Sequence, residues 1–387
     1  MDGSRLTILL DEPKEVDVVT IEKELSQLWK TAGEPADGES TAPVIRACSL
    51  NFVVVTDDRS GVNSVEEMVG EVTLVHPSRI FLVTLDRSLG TPSLEAWVSA
   101  RCSLPVAGGK QVCCEEITLN ARGTDIHKIP SIITSLVVPD VPVALLWKAK
   151  VDAADPVLKA LAHISDRLMI DSSEEMAPLP VLIAWSSFIT RGNYHCSFGD
   201  LAWSHTDEWR SRIAESFQPA EFRSHLSSIE NVSIRYSSTT VPLHSGLSQS
   251  MLLAGWFADR LRWTPVRPFT MTGDFAAKLR AGDQAVTLHI VKTQPQEVSP
   301  GGIESVSVKC RGGLEVALNA TTNRNCIQQL VLMEREVRHE KMSLIRDRSE
   351  AELMIRELEE FQRNIIYEGS LYSLTTMLGE PDGKASH

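Results

Sequence analysis

Asn193-Tyr194-His195-Cys196 sets a thiol beside an imidazole, the two groups that a nucleophile and its general base require. Neighbours on a strand point to opposite faces, so His195 and Cys196 cannot serve one substrate from an extended backbone. Cys113 and Cys114 form a vicinal pair that diverges for the same reason and reads as strand packing. The ten histidines include no HExxH and no pairing with cysteine at zinc spacing, so no metal is expected. No GxGxxG follows a strand-like run, and neither Gly108-Gly109-Lys110 nor Gly301-Gly302 has phosphate-loop spacing. No GxSxG is present, and no cofactor is expected.

The chemistry that remains is recognition. Trp203 and Trp209 flank a helix entry, and Trp256 and Trp263 stand at i, i+7 spacing in a second apolar helix. Trp209-Arg210 and Arg262-Trp263 each put an aromatic ring beside a guanidinium, the residue types that dominate binding hot spots. In Trp203–Arg210 the expected N-cap is Thr206, and one of the two tryptophans is expected to project outward with Arg210. Trp147 and Asp140 complete the interface candidates: Asp140 is the one charge in a long apolar run, where a turn aspartate is the plainer reading. A rival class is a sugar-phosphate or nucleotide-binding enzyme, because covered α/β sheets hold ligands at the carboxyl ends of their strands. Asp57, Asp86 and Asp140 are the carboxylates that such a site would use.

Composition narrows the partners. Of 387 residues 43% are hydrophobic, enough for two or three domains with proper cores. Lys+Arg 38 against Asp+Glu 51 gives a net charge of −13, which argues against nucleic-acid backbones and anionic membranes. No apolar run approaches the roughly 18 residues of a membrane helix, and the N-terminus does not read as a signal peptide. Seven cysteines without CxxC spacing make a disulfide framework unexpected and fit a reducing, cytoplasmic setting.

The elements that position these residues centre on Ile129–Lys148, where a buried helix after Pro130 should end at Val138 and a strand with two apolar faces should begin at Pro142. Before it come a helix over Val18–Lys30, a loop over Ala32–Pro43, one long strand over Val44–Thr56, a helix over Ser64–Leu74 and a strand over Arg79–Leu85. Leu94–Cys102 and Val112–Leu119 read as an antiparallel hairpin on the sheet's edge. With a helix at Pro156–Ile164 and a strand at Arg167–Ile170, these make a covered mixed sheet of five or six strands, an α/β N-terminal domain over 1–175. Asp171–Pro180 reads as a linker. A second α+β domain over 176–322 carries a helix from Thr206 to Phe217, a strand at Val232–Tyr236 and a helix at Gln249–Trp263. Its strand-like runs Val286–Val291, Val306–Cys310 and Leu314–Leu318 read as an antiparallel meander. Residues 323–387 read as a helical extension, with a capping box at Ser349 and Glu352 and a stripe of Met354, Leu358, Phe361 and Ile365.

Four segments, HPSRIFLVTLD (His76–Asp86), CCEEITLNARG (Cys113–Gly123), SLVVPDVPVALLWK (Ser135–Lys148) and DLAWSHTDEWRSRIAESFQP (Asp200–Pro219), resemble in order and spacing the glucose-6-phosphate dehydrogenase assembly protein family, OpcA. The resemblance runs from about Val44 to Trp263. It implies a non-catalytic cytosolic partner that binds glucose-6-phosphate dehydrogenase, promotes its oligomeric assembly and raises its activity. That would feed NADPH production in the oxidative pentose phosphate pathway. The dehydrogenase's own signature, Arg-Ile-Asp-His-Tyr-Leu-Gly-Lys, is absent, so the chain does not read as the enzyme itself. Photosynthetic members are linked to redox control through cysteines, whereas here no cysteine follows Cys326.

Overall fold

The computed structural model describes residues 7–379 except 10–11, 33–43, 58–61, 89, 104–110, 176, 241–242, 267–269, 273, 295–301, 322–325 and 346–347. The expected loop after Ala32 and the glycines at 108–109 lie outside the described residues. The chain forms two compact units: residues 1–170, 194–198 and 349–363, and residues 171–193, 199–348 and 364–387. In this division 323–387 is no body of its own.

In the first unit the chain runs β1 (Thr7–Leu9), β2 (Lys14–Val16), α1 (Ile21–Ala32), β3 (Val44–Arg46), β4 (Leu50–Thr56), α2 (Val62–Val75) and β5 (Ser78–Asp86). It continues through β6 (Ser93–Ser103), β7 (Gln111–Arg122), α3 (Ile129–Leu136), β8 (Val143–Trp147), α4 (Pro156–Ile164) and β9 (Arg167–Ile170). Every residue of β4 and β8 is buried, as two-sided cover requires of parallel strands. Asn51, wholly buried within β4, holds the connection from α3 to β8: its Nδ2 donates to the carbonyls of Val138 (3.0 Å) and Val141 (3.3 Å), and its Oδ1 accepts from Val138 N at 2.8 Å.

The expected single strand over 44–56 is broken. Ala47 N donates to Cys113 O and Ser49 N to Pro77 O, so β3 pairs with β7 while β4 pairs with β5 and β8. Nor does the β6–β7 hairpin form the edge: β7 lies between β6 and β5, and β1 and β2 pair with β6 outside it. Short N-terminal strands without alternation give no period to read, which is why five or six strands were expected and ten are present among the described residues. Cys102 and Cys113, cross-strand partners in β6 and β7, form a disulfide, which corrects the reading of Cys113 as a packed thiol. Cys114 does point away from it, toward Ser78 N at 3.3 Å, and burial pushes its thiol up to about 11.

Among its described residues, the expected linker at 171–180 forms regular elements. Asp171 caps a short 3-10 turn over Ser172–Glu174, whose serines are buried, and α5 (Pro178–Arg191) begins on its proline. β10 (Ser197–Asp200) completes the first sheet, whose order is β1-β6-β7-β5-β4-β8-β9-β10.

The second unit follows with α6 (Leu201–Ser204), α7 (Asp207–Ser216), α8 (Ala220–Arg223), β11 (Ile229–Thr240), β12 (Leu243–Ser245) and α9 (Gly246–Arg260). Then come β13 (Thr264–Pro265), β14 (Thr270–Thr272), β15 (Asp274–Ala281), β16 (Gln284–Lys292), β17 (Gly302–Cys310), β18 (Leu314–Ala320), β19 (Cys326–Met333) and β20 (Glu336–Leu344). The helices α10 (Glu350–Glu357), which belongs to the first unit, and α11 (Ile365–Met377) end the chain. The sheet order is β13-β15-β16-β11-β17-β18-β19-β20. The expected meander is therefore interrupted: β11 lies between β16 and β17, parallel to one and antiparallel to the other. Gly255 lets α9 approach α11, since a Cβ there would sit 2.1 Å from Ser370 O.

Residues 326–344, expected to be helical, form the hairpin β19–β20. Its turn places Glu334 and Arg335 at φ 54 and 71, so a type I′ geometry is built without the Asn-Gly or Asp-Gly that would mark it in sequence. The capping box at Ser349 and Glu352 is present and starts α10. The four-residue stripe is not continuous. Met354 and Leu358 are buried, but α10 ends at Glu357 and Ile365 is 71% exposed.

Candidate functional site

Asp200 begins the corner that holds the expected tryptophan interface. Its carboxylate accepts from Ala202 N (2.9 Å), Ser172 N (3.1 Å) and Ser172 Oγ (2.7 Å), capping α6. Complete burial nevertheless raises its pKa to about 7, with Asp171 adding to the rise. Thr206 does not cap α7. Its backbone is already helical, its hydroxyl donates to Trp203 O at 2.7 Å and accepts from Arg210 Nε at 2.9 Å. The Arg210 guanidinium in turn lies 3.5 Å over the Trp203 ring and is bonded to Asp207. Trp203 is 2% exposed and tilts against Tyr367, and Trp209 is 4% exposed. The expectation that one of them projects outward is therefore wrong: because Thr206 continues the helical backbone, both rings stay in the core.

Trp147 is also core, its Nε1 donating to Lys150 O at 3.2 Å. Trp263 lies beyond α9, not on it. Trp263 N donates to Ala258 O (2.8 Å) and Arg262 N to Asp259 O (3.2 Å), the two bonds of a Schellman cap, and the Trp263 ring stacks on Phe257. Arg262 takes the left-handed position of that cap, φ 54, where glycine is usual, and its side chain is exposed. Asp140 is exposed and left-handed too, φ 63, as the turn reading expects. Among the seven interface candidates, Asp140 and Arg262 are thus the exposed ones.

The strand order reverses beside β4, with β5 on one side and β8 on the other, where an open α/β sheet presents a ligand crevice. At these carboxyl ends Asp57 Oδ2 accepts from Lys150 N at 2.7 Å, and Arg87 reaches both Asp57 (3.3 Å) and Asp155 (2.5 Å). Asp155 meanwhile caps α4 through Val157 N and Leu158 N. Asp86 accepts from the Ser88 hydroxyl and backbone N–H and from Arg122, which hold its pKa down to about 2. Asp57 and Asp86 are therefore engaged in closing this end of the sheet. Asp140 precedes β8 and lies at the opposite end.

A cleft of about 830 Å3 that no motif announces lies in the second unit, between α7–α8 and the β19–β20 hairpin. Phe222, Val331 and Met333 supply apolar wall, Glu215 and Glu221 carboxylates, and Arg338 and His339 line the hairpin side. Gln329, 1% exposed, donates through Nε2 to Ser216 Oγ at 2.8 Å, but its Oε1 is buried with no partner among the described residues. An orphaned acceptor of this kind costs about 1–3 kcal/mol. Hydrogen bonds from Lys341 and Arg212 lower the pKa of Glu215. Gln329 sits in a segment that reads as helical and charged, which is why the cleft was not foreseen.

Comparison with known proteins matches residues 69–187 to the glucose-6-phosphate dehydrogenase subunit N-terminal domain and residues 196–371 to the corresponding C-terminal domain. OxPP cycle proteins named OpcA are similar over much of the chain. That of Synechocystis is 24% identical over 67% of this chain and 68% of its own length, and that of Nostoc punctiforme is 29% identical over 56% and 45%. The one from Synechococcus elongatus is 28% identical over 62% of this chain and 53% of its own length. The chain thus spans about half to two thirds of these relatives. Among solved structures, levoglucosan dehydrogenase with NADH and levoglucosan has a TM-score of 0.45 at 9% identity, over 85% of this chain and 97% of that one. An NAD binding oxidoreductase from Klebsiella pneumoniae scores 0.46 at 7% identity, over 86% and 97%. Likeness at that level carries no argument about activity.

Proposed function

Since the chain belongs to the glucose-6-phosphate dehydrogenase assembly protein family, OpcA, we propose that it is a non-catalytic partner that binds glucose-6-phosphate dehydrogenase and promotes its active oligomer. The observation that carries the reading is the match of both family domains, in order, across both units of the fold. Acting in the cytoplasm, such a partner would raise NADPH production by the oxidative pentose phosphate pathway. Of the described residues, none forms a helix long and apolar enough to cross a membrane.

The crevice chemistry supports a binding role over the rival nucleotide or sugar-phosphate enzyme. Among the described residues, a phosphate at the β4–β8 switch point would meet the carboxylate of Asp57, already committed to Lys150 N and Arg87. No observation favours the enzyme reading. Co-purification of the chain with its cognate dehydrogenase, followed by dehydrogenase assays with and without it, tests the proposal. Failure to co-purify together with unchanged dehydrogenase activity would reject it.

A further inference from the structure

The cleft between α7–α8 and the β19–β20 hairpin is rich in acceptors. Gln329 Oε1 lacks a donor among the described residues, the Glu221 carboxylate is exposed at the rim, and Glu215 is shared between Arg212 and Lys341. Of the cations on the hairpin side, Arg338 is turned to Glu336 at 3.2 Å, and His339 is exposed at the rim. Phe222, Val331 and Met333 give an aliphatic stem something to lie against. Acceptors above an apolar wall fit a lysine or arginine side chain. The molecule already does this once: Lys341 of β20 reaches Glu215 at 2.5 Å from the same face.

β20 ends the sheet order and pairs with β19 on its one occupied side among the described residues. Nine residues of edge therefore offer a row of backbone donors and acceptors. On the face away from the cleft, Val337, Met342 and Leu344 are 55%, 53% and 78% exposed, beside partners Leu332, Gln328 and Cys326 in β19. A register shift opposite Val331 and Leu332 bulges the edge at Arg338, beside the cleft. A strand added to β20 would set alternate side chains into the cleft and onto the face of Val337, Met342 and Leu344, where Glu340 is the one charge.

We propose that this edge docks an extended segment of a partner polypeptide, which pairs with β20 and inserts a lysine or arginine between Gln329 Oε1 and Glu221. The segment's alternate, apolar side chains cover Val337, Met342 and Leu344. The partner is the dehydrogenase, so the inference rests on the function proposed above and names the surface that carries it.

Biolayer interferometry of the full chain against the cognate dehydrogenase tests it, with Glu221→Lys and Gln329→Met variants and with arginine amide or citrulline amide as competitors. Glu221→Lys, on an exposed side chain, should weaken binding at least about tenfold with an unchanged melting temperature, a loss typical of a hot spot. Gln329→Met should weaken it in the same direction. Arginine amide should compete where the neutral citrulline amide does not. Binding by the wild-type chain that Glu221→Lys leaves within about twofold, and that arginine amide does not reduce, overturns the docking site while leaving the function standing. A wild-type chain that does not bind the dehydrogenase at all overturns both. Should Gln329→Met fail to fold, Glu221→Lys and the competition decide.

Discussion

The Arg210 guanidinium lies 3.5 Å over the indole of Trp203, seven residues back, with Arg210 Nε tied to Thr206 Oγ1. This stack locks α6 to α7 from within the second unit, so the tryptophan–arginine pair is a brace of the fold and not an outward anchor. Trp203→Ala and Trp209→Ala should each cost about 3–5 kcal/mol of stability, as large buried rings do on truncation. Chemical denaturation measures this. A loss of dehydrogenase affinity with stability retained would return these rings to the interface.

Arg262 is the non-glycine residue at the left-handed position of the α9 cap. Arg262→Gly should raise stability by about 0.5–1 kcal/mol, since glycine adopts that conformation without a Cβ penalty. A decrease in the urea midpoint would mean that the exposed arginine makes a contribution of its own.

Asp200 gives the second unit a pH dependence. Its folded pKa of about 7 lies above the ordinary carboxylate value, so between those two values the folded state holds a proton that the unfolded state has released. That stabilisation is complete below the ordinary value and disappears as pH rises through about 7. Asp200→Asn, which cannot ionise, should therefore gain on the wild type by an amount on the order of a few kcal/mol between pH 5 and pH 8. Parallel stability curves for the two proteins over that range would show that the carboxyl titrates normally.

Cys102 and Cys113 are joined across β6 and β7, and five other cysteines are free. Alkylation of the unfolded, unreduced protein should accordingly modify five of its seven cysteines, and all seven after reduction. Reduction should lower stability by about 2–3 kcal/mol, in keeping with a short closed loop. Seven labelled cysteines without reductant would return Cys113 to ordinary strand packing.

Where local period and burial agree, the fold was legible. β8, α4 and β9 follow from their apolar runs and prolines, and Ser349 with Glu352 announces the start of α10. β20 was not legible, because an edge strand exposes both faces and so loses the alternation that marks a strand; β19 buries Ile327, Gln329 and Val331 in alternation, but Gln329 breaks the apolar pattern, and the turn between the two strands lacks glycine. Asn51 illustrates the same limit: a polar residue inside LNFVVV reads as an interruption until its two backbone carbonyl partners, 87 and 90 residues away, are in place. For the candidate site, residue type marked tryptophan and arginine as interface candidates, but burial is a tertiary property, and Trp147, Trp203, Trp209 and Trp263 lie in the core.

The proposed partnership turns on the oligomeric state of glucose-6-phosphate dehydrogenase. Light scattering of the purified dehydrogenase on a sizing column, alone and with the chain, followed by activity across the eluted peak, measures it most directly. A heavier species that contains both proteins and carries more activity per dehydrogenase subunit is the expected outcome. Two separate peaks at their individual masses, with dehydrogenase activity unchanged, would contradict it.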